Sequence, residues 1–214
     1  MGAVGGTLAD RQGSQRDHSP PGEHPQLSPR PWSREALAGE PEPGQRPAML
    51  TLVLGGARSG KSSHALRLTE ATRPLRLFVA TAQAFDDEMA DRIARHRAER
   101  HEGWDTMEAP LLEGLDTLIG GEAAVLVDCL TLWLSNVMLS GGDADRATGR
   151  MLADVARIGA PVVMVSNEVG MGLVPETPLG RAFRDAQGRL NQRVAAAADR
   201  VDFVAAGLPI RLKG

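Results

Sequence analysis

The sequence predicts an α/β domain built on a doubly wound, mostly parallel sheet, and three observations carry that reading. The short apolar run Leu50-Thr51-Leu52-Val53-Leu54 ends in glycines and is followed by a helical stretch containing Ala65, Leu66 and Leu68. Two later runs, Ala123-Ala124-Val125-Leu126-Val127-Asp128 and Pro161-Val162-Val163-Met164-Val165-Ser166, are apolar until they stop at a polar residue, as strands covered on both faces tend to be. Strand-like and helical segments alternate from residue 50 to residue 213, the pattern of helices packed on both sides of a parallel sheet.

Along the chain, residues 1–48 come first and hold eight of the fourteen prolines and seven glycines, in stretches such as Glu40-Pro41-Glu42-Pro43-Gly44. A segment of this kind cannot bury enough apolar surface to offset its ordering entropy. A disordered tail is expected there, with the domain at 49–214; Met49 would also serve as the start if the upstream residues are an artefact of start assignment. A second strand is expected from Leu75 to Ala80, then a helix from Asp86 through Arg97. Pro178 to Asp199 reads as a long helix with Phe183, Leu190 and Val194 inward and Arg181, Arg184, Arg189 and Arg193 on the other side. Val201–Ala205 and Ile210–Lys213, separated by Gly207 and Pro209, read as a pair of short strands forming an antiparallel edge.

Composition removes several function classes. The chain is 42% hydrophobic and 24% charged, and its net charge of −3 gives no global attraction for nucleic acid or anionic lipid. Aromatics are 3% with no tyrosine, which leaves little material for the stacking platforms of single-strand and RNA readers. The single cysteine, Cys129, cannot form an internal disulfide and fits a reducing compartment, with the cytoplasm as the default. No apolar run approaches the roughly 18 residues of a membrane helix, and the first residues lack a signal-peptide pattern.

The chemistry begins at Gly55-Gly56-Ala57-Arg58-Ser59-Gly60-Lys61-Ser62, which matches the phosphate-loop pattern G-x-x-x-x-G-K-[ST] with a strand before it and a helix after it. Glycines let successive N–H groups curl toward phosphate oxygens, and the following helix adds its positive end. Lys61 would reach the β- and γ-phosphates and Ser62 would ligate Mg2+. Of 24 basic residues only Lys61 and Lys213 are lysine; an arginine-rich chain keeps lysine where a compact ammonium fits a tight backbone cup. Asp128, at the polar end of its run, stands where a second magnesium carboxylate is needed, or else caps a turn. Cys129 reads as a small buried hydrophobe. By itself, this site admits a kinase, an ATP-driven motor, a switch GTPase or a nucleotidyltransferase.

From about Leu50 to Lys213 the chain resembles the bifunctional adenosylcobinamide kinase/adenosylcobinamide-phosphate guanylyltransferase family of cobalamin biosynthesis. The matching segments are the phosphate loop, Val79-Ala80-Thr81-Ala82, Asp86-Asp87-Glu88-Met89 with Arg92-Ile93 and His96-Arg97, and Trp104-Asp105-Thr106-Met107-Glu108. Further on come Val127-Asp128-Cys129-Leu130-Thr131, Ser166-Asn167-Glu168-Val169-Gly170-Met171-Gly172 and Gly188-Arg189-Leu190-Asn191-Gln192. The resemblance implies a phosphate-loop, RecA-like core and a homo-oligomer, with trimers known in the family. It also implies two reactions. A nucleoside triphosphate, ATP or GTP, phosphorylates the aminopropanol hydroxyl of adenosylcobinamide. A histidine then takes GMP from GTP and passes it to adenosylcobinamide phosphate, giving adenosylcobinamide-GDP.

By position in the motif that histidine is His96. A neutral imidazole attacks phosphorus well and leaves easily from the phosphoramidate, dividing one hard transfer into two easier ones. Arg92, Arg95, Arg97 and Arg100 either offset charge on departing pyrophosphate or form a solvated basic face. The resemblance also places Arg97-Ala98-Glu99-Arg100, Ala80-Thr81-Ala82 and Glu108 against the nucleotide, with Glu108 either accepting from the guanine edge or the ribose or standing as a plain surface glutamate. His101 and His64 compete with His96, and His64, just inside the first helix, is expected at the surface or near phosphate. A single-activity phosphate-loop kinase and a RecA-like nucleotide-dependent binding module are the alternative functions.

Overall fold

The structure, a computed structural model, describes residue 2 and residues 49–83, 102–118 and 121–214. The expected tail, apart from Gly2, lies outside the described residues, as do the helix expected from Asp86 and the segment containing His96 and Arg97-Ala98-Glu99-Arg100. The described elements are β1 (Leu50–Gly55), α1 (Lys61–Glu70), β2 (Arg76–Ala80), β3 (Trp104–Glu108), a 3-10 turn (Leu115–Leu118), β4 (Ala124–Asp128), α2 (Leu130–Leu139), α3 (Ala144–Val155), β5 (Val162–Asn167), α4 (Pro178–Ala197), β6 (Arg200–Ala205) and β7 (Leu208–Lys213).

Among the described residues the strands form one sheet in the order β3-β2-β4-β5-β1-β6-β7. All pairings are parallel except β6 with β7, which is the mixed sheet with an antiparallel edge that the sequence predicts. Alternation along each strand divides the core in two. Leu52, Leu54, Val125, Val127 and Met164 face α2, α3 and α4 through Trp133, Leu134, Met151, Val155, Leu190 and Val194. Val53, Leu126, Val163, Val165 and Val204 face α1 through Ala65 and Leu66. Burial on both faces is the reason β1, β4 and β5 carry no polar alternation.

Helix ends follow local chemistry. Asp143 caps α3 by accepting from the Arg146 amide at 2.8 Å, and Thr177 caps α4 by accepting from Gly180 at 3.1 Å, with Pro178 at the first helical position where its missing N–H costs nothing. On α4, Leu190 and Val194 are buried and Phe183 packs against the core, as the helical spacing predicts. At the far edge β6 and β7 are joined by Ala206 and Gly207, whose φ values of 50° and 80° are those of a two-residue hairpin turn.

Register then assembles the site. Ala80 pairs with Glu108 on one side and Asp128 on the other, while Gly55 pairs with Asn167 and Val204. Parallel strands end together, so Gly55, Ala80, Glu108, Asp128 and Asn167 line one edge of the sheet, the edge where ligands bind in doubly wound folds.

Candidate active site

The loop from Gly55 to Ser62 leaves the sheet at β1 and enters α1 without a side-chain cap: Gly60 occupies the capping position. The first-turn N–H groups of α1 thus have no side-chain partner of that kind. Arg58 and Gly60 have φ of 55° and 91°, and such left-handed steps turn successive amides inward. Glycine is required at two places. A Cβ on Gly55 would lie 2.5 Å from both Ser59 Oγ and the Val204 carbonyl oxygen, and one on Gly60 would lie 3.2 Å from Gly207 Cα in a conformation side chains rarely adopt.

Lys61 is buried and donates from Nζ to the Gly56 carbonyl at 3.3 Å, which folds its ammonium back over the loop. Ser62 is half-buried in the first turn of α1, and Asp128 is half-buried at the end of β4. One strand, β5, separates β4 from β1, a spacing of about 10 Å between the two strand axes. A hydroxyl and a carboxylate so placed form an oxygen donor set suited to Mg2+, which keeps several waters beside a few protein ligands. Ser59 Oγ is buried with no hydrogen-bond partner, a polar atom inside the loop that a phosphate ligand or water would have to satisfy.

Thr81 serves as a clamp. Its hydroxyl donates to the Cys129 carbonyl at 2.7 Å and accepts from the Cys129 amide at 2.8 Å, and its own amide donates to Asp128 O at 3.2 Å. Asn136 of α2 extends the clamp, its Nδ2 donating to the carbonyls of Thr81 and Pro110 at 2.9 Å each. The end of β2 is thereby fixed to the end of β4, beside Asp128. Ala82 continues the turn, half-buried, and Glu108 is exposed at the end of β3. Burial and then the neighbouring Asp128 charge raise the Cys129 thiol to about 11, so it stays protonated at neutral pH, in keeping with a packing role.

Asn167 ends β5 and Glu168 follows it, beside the loop. The Glu168 amide donates to Gly55 O at 3.1 Å, Asn167 N donates to Thr131 Oγ1 at 2.9 Å, and the Glu168 carboxylate accepts from Gly170 at 2.5 Å. Behind them, Ser166, Gln187 and Asn191 form a buried hydrogen-bond cluster that ends on the Asn167 carbonyl, with Asn191 Nδ2 donating at 3.0 Å. Next in sequence, Met171, Leu173 and Val174 are exposed.

His64 departs from an expected place at the surface. It is 7% exposed and its Nε2 lies 2.7 Å from Asp202 Oδ2, because positions 61, 64, 65 and 69 share the buried stripe of α1. Asp202 and Asn136 escaped the sequence reading, and Thr131 entered it only as part of a matching segment. A carboxylate inside an apolar strand run was the signal available for Asp202; Thr131 and Asn136 act through backbone groups distant in sequence.

A family model described as cobinamide kinase / cobinamide phosphate guanyltransferase (CobU) matches residues 51–212. The bifunctional adenosylcobalamin biosynthesis protein CobP of Pseudomonas aeruginosa is 44% identical over 171 residues, covering 78% of this chain and 98% of its own. The bifunctional adenosylcobalamin biosynthesis proteins CobU of Salmonella typhimurium and Escherichia coli K12 are 44% and 42% identical over 184 residues, each covering 77% of this chain and 100% of its own. Among solved structures, the flagellar accessory protein FlaH of Methanocaldococcus jannaschii superposes with a TM-score of 0.45 at 14% identity, over 78% of this chain and 79% of that one.

Proposed function

The chain belongs to the cobinamide kinase / cobinamide phosphate guanyltransferase family, and from that premise we propose how its residues divide the two reactions of a bifunctional enzyme of cobalamin biosynthesis. The observation that carries the reading is the phosphate loop at the end of β1, with Lys61 folded over it, in a chain that matches the family over residues 51–212. In the kinase step the loop amides of Gly56 to Ser62 hold the triphosphate and Lys61 meets its β- and γ-phosphates, stabilising charge as the γ-phosphoryl moves to the cobinamide hydroxyl. Ser62 and Asp128 would hold Mg2+, which supplies neutralisation of the phosphate oxygens when bound. ATP and GTP are both suitable donors.

In the second step a ring nitrogen of His96 attacks the α-phosphorus of GTP and pyrophosphate leaves. The phosphate oxygen of adenosylcobinamide phosphate then attacks the guanylyl-histidine, and the imidazole departs. We assign Arg97-Ala98-Glu99-Arg100 to the triphosphate and Glu108 to guanine or ribose. The Ala80-Thr81-Ala82 turn contributes its backbone shape, since the Thr81 hydroxyl is committed to Cys129.

We assign the corrinoid to the apolar lip Met171, Leu173 and Val174 beside the loop, and to a boundary between subunits, because so large a substrate exceeds what this domain can enclose. A homo-oligomer follows, a trimer by family resemblance. A cytoplasmic setting fits the single buried cysteine, and no helix among the described residues is long and apolar enough to cross a membrane.

Intact mass tests the assignment. Incubation with GTP and Mg2+ should add one GMP, which adenosylcobinamide phosphate should discharge, and His96→Ala should abolish the gain while leaving phosphorylation of adenosylcobinamide measurable. Guanylylation that persists in His96→Ala would remove His96 from this role. No gain in the unaltered protein, with γ-phosphate transfer intact, would reduce it to a kinase.

A further inference from the structure

The phosphate loop rests on the β6–β7 hairpin. The Gly207 amide donates to the Ser59 carbonyl at 2.9 Å, Gly207 Cα is the atom a side chain on Gly60 would strike, and the Val204 carbonyl occupies the space a side chain on Gly55 would need. The turn of the hairpin and the loop thus meet backbone to backbone.

Two residues before Val204 on β6, Asp202 is 1% exposed and is held from three elements. His64 Nε2 of α1 is 2.7 Å from Oδ2, Arg200 of β6 donates through Nε and Nη2 at 3.1 and 2.7 Å, and Arg211 Nε of β7 donates to Oδ1 at 2.6 Å. His64 lies two residues beyond Ser62, so one end of this cluster is the helix that begins at the loop. The other end, Arg211, is on the strand that leaves the Ala206-Gly207 turn. A buried ion cluster is a poor source of stability compared with apolar packing of the same volume. Its distinguishing property here is geometric: the carboxylate ties the start of α1 to the hairpin on which the loop sits.

We propose that Asp202 is a positioning residue for the phosphate loop, holding His64 and Arg211 so that α1 and the Gly207 turn keep the spacing that presets the loop for a triphosphate. The proposal rests on the nucleotide-site reading above and adds a residue that touches no phosphate. Loss of the cluster leaves every loop residue in place but removes the brace that keeps their amides convergent, so the deficit falls on nucleotide affinity.

The test is titration of the full chain with the fluorescent nucleotide mant-GTP at 20 °C without added Mg2+, so that no GMP is transferred during the measurement, with thermal melting alongside. Asp202→Asn should weaken mant-GTP binding about tenfold and Arg211→Ala about threefold, with Arg211→Lys restoring affinity to within twofold. A cluster with only a structural role would lower the melting midpoint and leave the affinity of the folded protein unchanged. Arg211 is 46% exposed at its side chain, so Arg211→Ala decides the matter if Asp202→Asn does not fold. Binding within twofold of the unaltered protein in the folded variants would overturn the proposal. Failure of the unaltered protein to bind mant-GTP would overturn the nucleotide-site reading, and this inference with it.

Discussion

Asp202 shows how far a single residue can depart from what its type suggests. Burial would raise its carboxyl, but hydrogen bonds from Arg200, His64 and Arg211 outweigh that and bring it from 3.8 down to about 2. A lowered folded-state value means the ionised form stabilises the fold, here by about 2 kcal/mol. That contribution is complete above about pH 4 and is lost as pH falls toward 2. Urea unfolding between pH 5 and pH 2 should therefore show a steeper loss of stability in the unaltered protein than in Asp202→Asn, and equal slopes would contradict the assignment. The phosphate loop is the opposite case at this scale. Gly60, Lys61 and Ser62 were legible because their chemistry is written in eight consecutive residues, whereas the bond from His64 to Asp202 spans 138 positions and leaves no local pattern. His96 is assigned by motif alone, and its segment lies outside the described residues.

Elements were legible where burial imposes a pattern and obscure where it does not. β1, β4 and β5 announce themselves as apolar runs because helices cover both their faces. β3, Trp104-Asp105-Thr106-Met107-Glu108, pairs among the described residues only with β2 and mixes half-buried with exposed positions, so its residues matched a motif without reading as a strand. α2, Leu130 to Leu139, is apolar around most of its circumference and offers no stripe for periodicity to find. Packing nonetheless separates its faces. Leu134 is fully buried and Leu139 is 71% exposed. Leu134→Ala should cost about 2–5 kcal/mol in chemical unfolding, and Leu139→Ala less than about 0.5 kcal/mol; similar losses would mean that α2 packs differently.

At the scale of the whole molecule, β7 is the feature left uncovered. All six of its residues are exposed, and Leu208, Ile210 and Leu212 alternate along it as one apolar row on a strand whose outer edge is unpaired among the described residues. Monomeric proteins guard such edges, and this one fits the subunit contact of the proposed homo-oligomer. Light scattering on a sizing column should find an oligomer, and Ile210→Glu with Leu212→Glu should shift it toward monomer while the protein remains folded; a monomeric unaltered protein would remove the oligomer from the account. The central place of β1 has a different consequence, for the order in which the protein is made. Both its neighbours, β5 and β6, come late in the chain, and the bond between Leu50 and Asp199 that closes the start of β1 joins residues 149 apart. At about 5–20 residues per second of synthesis, the loop strand waits roughly 7–30 s for its last partner, with Leu50 to Leu54 open to solvent or to chaperones. A ribosome stalled before residue 200 would hold a nascent chain that already carries the entire phosphate-loop motif but has nothing yet for that loop to rest on.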